Sequence, residues 1–434
     1  MKGKICFILI FSLLMAFSLF AQQKEPDPLI TNLKNGNEKQ KQIAAKELGK
    51  RQDESAVPVL REALGDENHK VRKAVIEALM QIPGKESIRA LCLATEDEVP
   101  GNRELAIEGL VKKYLPEPTS RLKKIFGTIQ DLFSLKEEEN MVEPWVKVEP
   151  EIEKALIKRL NDQKSVSLLA ISAIHSLRIK GAIPDLIKSL KGDEERIIEI
   201  LKTLADFKAH SAGENIIPLL LSKRDKIVAY ASYCLGKIKY EPAIQSLIQL
   251  YNYSADTKYQ KYALAGLSLL AATDAVKFFQ KNLRSDDSEF RILSAEAFAR
   301  IADTKYTEEI ARAFLNEKDE KVKLAIDFAL FKLKRKEHMM NIIKAINVQY
   351  DIVESYIIES GEDGFMEIAR YIPNLEDRVK IKIIKIMGHS YNPAAIKYLE
   401  PYLNDADINI ATASFEAIKR LKKIEEMNLM KSGK

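Results

Sequence analysis

Cysteine is almost missing from this chain of 434 residues, which has three: Cys6, Cys92 and Cys234. Cys6 falls in an apolar N-terminal stretch. Cys92 and Cys234 stand 142 positions apart, each between apolar neighbours. That spacing excludes a disulfide framework and reads both as small core fillers. Tryptophan occurs once, as Trp145, and histidine five times, at His69, His175, His210, His338 and His389. No histidine is followed by glutamate, no two lie within helical reach, and there is no Cys-x-x-Cys. Zinc and paired His-Glu iron chemistry therefore have no ligand pattern to build on. The Gly-Lys pairs at 49–50, 84–85 and 236–237 continue with Arg51, Glu86 and Ile238, which excludes a phosphate loop. Gly49 and Gly236 read instead as glycines at helix ends. There is no Gly-x-Ser-x-Gly elbow, and Ser120-x-x-Lys123 lacks the companion motifs of a serine–lysine dyad. An excess of one charge is missing too: 68 Lys and Arg face 63 Asp and Glu, a net of +5. That balance gives no global drive toward nucleic acid. No catalytic residue, metal or cofactor is expected.

Long apolar runs are also scarce, and the chain has one, Ile5 to Phe20, interrupted only by Ser12 and Ser18. Lys2 and Lys4 precede it, and Ala21 leads into Gln22-Gln23-Lys24-Glu25. The run is shorter than the roughly 18 to 20 residues of a stable membrane span. Residues 1–21 therefore read as a signal peptide, although Leu19 is large for a cleavage motif. The expectation is export to the periplasm or beyond, with membrane contact only if this segment is retained.

What the sequence has in abundance is repetition. Val57, Leu60 and Leu64 share one helical face, and Val71, Val75, Ala78 and Leu79 form a second stripe at helical spacing. Gly65-Asp66 separates the two, and Pro58 is harmless in a first helical turn. Two such short helices cannot bury both faces unless they stack on copies of themselves. With Val71 and Leu79 as anchors eight residues apart, the pattern returns at Asn102/Leu110, Val166/Ile174, Arg196/Leu204, Ile227/Leu235 and Tyr259/Leu267. It continues at Phe290/Phe298, Val322/Leu330, Val379/Met387 and Ile410/Ile418. Steps from 166 to 322 are 30, 31, 32, 31 and 32 residues. The small residue at Ala78 recurs as Gly109, Ala173, Cys234, Gly266, Ala297, Ala329 and Ala417, and the first-helix proline as Pro184 and Pro218.

The segment from Ala56 to Leu79, with Pro58, Asp66 and Val71-Arg72, resembles the HEAT-like repeat, including the variant found in bilin lyases. The resemblance implies an all-α fold, an armadillo-like α-solenoid (α-α superhelix) of about eleven helix pairs. The basic residue after the anchor is kept as Arg103, Arg291, Lys323 and Lys380 but lost at Ser167, Ile197, Val228, Gln260 and Ala411. The fold expectation rests on the apolar ladder rather than on that position. Solenoids of this kind host many roles.

The expected organisation is a signal peptide (1–21), N-terminal repeats (22–119), an irregular insertion or degenerate repeat (120–150), a main array (151–423) and a tail (424–434). The insertion carries Trp145 between Pro144 and Pro150, in a stretch read as non-helical. Trp145 is either an aromatic anchor for a partner or a gap-filler in a strand-like tail packed across the helices. A second break, between anchors 322 and 379, contains Gly361-Glu362-Asp363-Gly364. Seven of the fifteen tyrosines fall within residues 230 to 262. Of these Tyr230, Tyr233, Tyr251 and Tyr253 join Trp145 as candidate partner-binding residues, with Tyr251 and Tyr253 expected nearest to solvent. The run Lys419-Arg420-Leu421-Lys422-Lys423 is expected to end the last helix. The functional expectation is an exported, non-catalytic scaffold or adaptor that binds proteins of the periplasm or cell envelope along its concave surface, and no nucleic acid. The bilin-lyase resemblance leaves an enzyme, or a small-ligand carrier using the groove, as the alternative.

Overall fold

The computed structural model describes residues 27–115 and 141–432, and every regular element among them is helical. The signal peptide expected at 1–21 and the insertion as far as residue 140 lie outside the described residues. The chain divides into two compact units after Lys113.

Unit 1 holds three helix pairs: α1 (Pro28–Asn35) with α2 (Glu38–Arg51), α3 (Val57–Ala63) with α4 (His69–Gln81), and α5 (Lys85–Ala94) with α6 (Pro100–Lys112). Unit 2 begins with α7 (Pro150–Ile157) and α8 (Lys164–Ser176), then α9 (Ile183–Lys188) and α10 (Glu194–Asp206). Next come α11 (Gly213–Ile216) with α12 (Asp225–Lys237), α13 (Ile244–Tyr253) with α14 (Thr257–Leu269), and α15 (Val276–Asn282) with α16 (Ser288–Ile301). The remainder is α17 (Thr307–Asn316), α18 (Glu320–Lys332), α19 (His338–Lys344), α20 (Tyr350–Tyr371), α21 (Asp377–His389), α22 (Ile396–Leu399) and α23 (Ile408–Lys431).

The all-α solenoid is as expected, and the described residues hold twelve pairs where about eleven were expected. The ladder misses one at each of two places. Gln40 takes the anchor place in α2, 31 residues before Val71, and is exposed. The second break resolves at Gly361, where φ is 60° and ψ −147°, so that α20 is two helices joined by one residue. Val353 is the missing anchor, 31 residues after Val322 and 26 before Val379. Elsewhere a loop connects one second helix to the next pair; here a single glycine replaces it, in a backbone region that side chains avoid.

Local chemistry explains the repeated shape. The second helices α4, α10, α14, α16, α18 and α23 start on Asn68, Asp193, Asp256, Asp287, Asp319 and Asp407, whose side chains accept first-turn N–H groups. Gln52, Arg178, Lys208, Lys239, Ala271, Ala302, Lys334 and Tyr391 follow second helices and adopt positive φ, which turns the chain into the next pair. The glycines do something else. Gly49 and Gly236 lie inside α2 and α12, not at their caps. A Cβ on Gly49 would stand 2.6 Å from Ala78 Cα, and one on Gly236 2.6 Å from Leu269 Cβ. They let successive second helices approach closely, as do Gly266 beside the Ser232 carbonyl and Gly388 beside Ala417. Pro218 also departs from expectation. It lies not at the start of a first helix but after α11, where the chain tightens into a 3-10 turn over Ile217–Leu221. A residue without N–H is tolerated in that turn.

The basic residue after the anchor ties neighbouring pairs. Arg72 donates to its own turn at the Asp66 carbonyl (2.9 Å) and reaches Asp97 in the next turn with two bonds of 2.7 and 3.0 Å. Arg291 does the same with the Ser285 carbonyl and Glu317, and Lys41 reaches Asp66. Where the cation is lost, Ser167 and Gln260 still bond their own turns, at the Leu160 and Ser254 carbonyls. Burial pushes the Asp97 carboxyl up, but the bonds from Arg72, the Val99 N–H and Asn102 hold it below the usual carboxylate value. Asp66 and Glu317 are lowered against burial in the same way, chiefly by Lys41 and Arg291.

A group whose folded pKa is depressed stabilises above its unfolded pKa of about 4, and that contribution is lost as pH falls through the folded value. Asp97→Asn is therefore expected to lower stability by about 2–3 kcal/mol at pH 7 and by progressively less below about pH 4. Urea titrations of both proteins across pH check this; an equal loss at pH 7 and pH 3 would contradict it.

Candidate functional site

On each second helix the residues three, six and ten after the anchor lie opposite the face that packs on the first helix. They form the inner face of a stack, and the two units treat it differently.

In unit 1 the inner face is open. Three positions after the anchor stand Ile43, Ala74 and Leu105 on α2, α4 and α6, one stripe across three helices. Ile43 is 52% exposed, and Ala74 and Leu105 are half-buried. Lys46, Glu77 and Glu108 at the sixth position and Lys50, Gln81 and Lys112 at the tenth are all exposed. The surface is an apolar line flanked by charges of both signs.

In unit 2 the inner face from α12 to α20 is largely filled by its own side chains. Tyr230, Leu293, Ala325 and Tyr356 at the third position are buried, as are Tyr233, Ala265, Glu296 and Phe328 at the sixth. Helices two pairs apart meet there. Arg300 on α16 makes two bonds to Glu359 on α20, of 2.7 and 3.1 Å, and also reaches Ser268 (2.8 Å) and Glu296 (3.1 Å). Tyr356 donates to Glu296 at 2.7 Å, and its ring stacks on Phe328 with centroids 4.2 Å apart. Burial works against the Arg300 charge, yet Glu359 and Glu296 raise its pKa further. Burial raises Glu359 as well, and Arg300 outweighs it, so that carboxyl is held down. Burial and Glu296 push the Tyr356 phenol well up. A small cleft beside Tyr233, Lys237 and Asp351 borders this network. Its Arg300, Glu296, Glu359 and Tyr356 are bonded to one another, so they offer no unpaired group for acid–base work. Among the described residues no three His, Cys, Asp or Glu side chains cluster to hold a metal.

Unit 2 also closes on itself. Residues 141–149 run as a non-helical strap, the form expected from Pro144 and Pro150. Met141 and Val142 are buried, the Val142 N–H donates to the Ser176 carbonyl (2.8 Å), and Arg178 Nε donates to the Val142 carbonyl (2.6 Å). From the far end of the unit, Tyr391 donates to Glu143 at 3.1 Å, and Arg420 pairs with it at 2.9 Å. Arg178 lies 5.9 Å from the centre of the Tyr391 ring. The Lys419–Lys423 run does not end a helix. α23 continues to Lys431, through most of the expected tail, because Leu421 and Ile424 extend its buried face.

The five aromatic candidates separate on these grounds. Tyr230 and Tyr233 are packed in the filled inner face under Lys202 and Lys237. Tyr251 is not near solvent as expected: its hydroxyl accepts from Asn282 at 2.7 Å, and its ring lies 4.6 Å from that of Phe278. Trp145 is half-buried in the strap. Tyr253 alone of the five is freely exposed, at 87%. The apolar stripe of unit 1 was missed because the anchor of α2 is Gln40; aligning that helix by its buried Ala44, Ala45 and Leu48 puts Ile43 in register with Ala74 and Leu105.

Replacing Glu143 by Gln removes the charge that both Tyr391 and Arg420 use. With the pair partly solvated, the expected cost is about 1 kcal/mol, or about fivefold faster amide exchange at Val142 and its neighbours. Residue-resolved hydrogen exchange measures it; unchanged exchange over 141–149 would show that Glu143 does not hold the strap.

Residues 26–111 match the family model of HEAT repeats. No curated protein sequence matches the chain. Among solved structures, the Kap95:Nup1 complex is similar over 96% of this chain and 65% of its own, at 12% identity and a TM-score of 0.50. Kap121p bound to Nup53p is similar over 93% and 46%, at 12% identity and 0.44. An engineered protein from a structural genomics consortium is similar over 91% and 98%, at 18% identity and 0.38. The N-terminal unit therefore carries HEAT repeats, and the chain has the fold of an α-solenoid.

Proposed function

We propose that this chain is an exported, non-catalytic scaffold that binds one or more proteins of the periplasm or cell envelope, and that it does so on the inner face of unit 1. The open stripe of Ile43, Ala74 and Leu105 carries this reading. An apolar centre flanked by charges of both signs suits a protein surface better than a polyanion. The filled inner face of unit 2 favours unit 1 over the main array as the docking surface. Export rests on Lys2, Lys4 and the apolar run to Phe20. The Kap95:Nup1 complex is an instance of this fold engaged with a partner.

Crosslinking capture from envelope extract tests the reading, comparing the intact chain with Ile43→Asp/Leu105→Asp and with Trp145→Ala/Tyr253→Ala. The expected result is one protein captured by the intact chain and by the second variant, and captured at least about tenfold less by the first. Loss in the second variant alone would move the docking surface out of unit 1. A copurifying small molecule with no protein partner would sink the scaffold reading.

A further inference from the structure

The strap of unit 2 is held the way a bound peptide is held. The Val142 N–H donates to the Ser176 carbonyl at 2.8 Å, and the Val142 carbonyl accepts from Arg178 Nε at 2.6 Å, so both backbone groups of one residue are engaged. Main-chain bonds of this kind give affinity, and the side chains beside them set the choice. Met141 and Val142 are 8% and 3% exposed, and the Glu143 carboxylate accepts from the Tyr391 hydroxyl at 3.1 Å and pairs with Arg420 at 2.9 Å. The order read is apolar, apolar, acid. Pro144 and Trp145 then turn the chain, and the Val146 N–H donates to the Glu143 carbonyl at 2.9 Å. None of the receiving groups belongs to the strap. Ser176 ends α8 and Arg178 follows it, Tyr391 follows α21, and Arg420 lies on α23.

The strap fills this seat incompletely. Arg178 Nη2 is buried and has no hydrogen-bond acceptor among the described residues. A buried donor left unmet disfavours the arrangement that holds it. The surroundings add positive charge: partial burial, and then Arg178, Lys431 and Lys208, hold the Lys180 ammonium below the usual lysine pKa. Of the acids in the same segments, Asp206 is bonded to His175 at 2.5 Å and Glu426 pairs with Lys423. Glu425 is exposed, and Glu153 stands beside Gly181. A segment that kept the strap's three contacts and brought one more acceptor to Arg178 would suit the seat better than the strap does.

We propose that this seam between the first pair and the last two pairs of unit 2 is a docking site for a non-helical acidic segment of a partner protein, read as apolar, apolar, acid in that order, and that residues 141–143 occupy it in cis until such a segment displaces them. The site is separate from the inner face of unit 1, so it stands or falls independently of the protein-binding reading there.

The probe is a fluorescent peptide with the sequence of residues 141–147, Met-Val-Glu-Pro-Trp-Val-Lys, and the readout is its anisotropy with the full chain. Val142→Asp/Glu143→Lys releases the strap. Val142→Ala loosens it without adding charge and keeps the test open if the first variant does not fold. The expected result is binding by the released chain at least about tenfold tighter than by the intact chain, where the tethered strap competes, with Val142→Ala between the two. Adding Arg178→Ala and Tyr391→Phe to the Val142→Ala chain should weaken the peptide at least about tenfold, and so should lysine in place of its glutamate. A peptide that binds neither variant, or binds the intact chain as tightly as the released one, overturns the proposal and makes the strap a fixed part of the fold. Equal binding of the glutamate and lysine peptides overturns it too. Loss of binding in Ile43→Asp/Leu105→Asp would place the peptide on unit 1 and overturns it equally.

Discussion

Successive second helices in this chain touch through small residues, and that contact sets the geometry of the rest. Gly49 against Ala78, Gly236 against Leu269 and Gly388 against Ala417 leave no room for another carbon. Ala173, Cys234, Ala297 and Ala329 stand where Ala78 and Ala417 do, seven residues after their anchors, and are buried. Second helices that approach this closely curve a stack with their inner faces on the inside. In unit 2 the inner faces of helices two pairs apart meet at Arg300 and Glu359, and a polar side chain taken out of water there needs a partner.

The same repeat gives two different surfaces because different side chains stand at its inner positions. In unit 2 the inner positions hold Tyr230, Tyr233, Glu296, Phe328 and Tyr356, and the polar members are bonded to one another around Arg300. The strap, through Glu143, joins the first pair of that unit to its last two. In unit 1 the same positions hold Ile43, Ala74 and Leu105 among exposed charges. A buried ion network costs desolvation, and its gain is specificity of arrangement more than stability. An open apolar stripe is the more economical place for a partner.

The sequence showed the fold through its period. Steps of 30 to 32 residues and the small residue within the second helices reappear as packing contacts and close helix approach. Two anchors were illegible for physical reasons. Gln40 takes the anchor place in α2 and is exposed, so it need not be apolar. Val353 was hidden because Gly361 shortens the period by replacing a loop with one residue of unusual backbone. The site was less legible, because residue type does not report whether a tyrosine faces water. Tyr251 and Tyr253 sit two positions apart, yet one is bonded to Asn282 in the core and the other is free. The partner of Arg300 was equally out of reach, since Glu359 lies 59 residues away and meets it only when helices two pairs apart converge.

The central claim is that the inner face is closed in unit 2 and open in unit 1, and hydroxyl-radical footprinting of the intact chain tests it most directly. The account predicts rapid oxidation at Ile43 and measurable oxidation at Leu105, with Tyr230, Tyr233 and Tyr356 protected to the level of core residues such as Phe298. Oxidation of those three tyrosines at the rate of Tyr253 would show that the second helices of unit 2 line an open surface, and the account would be wrong at its root.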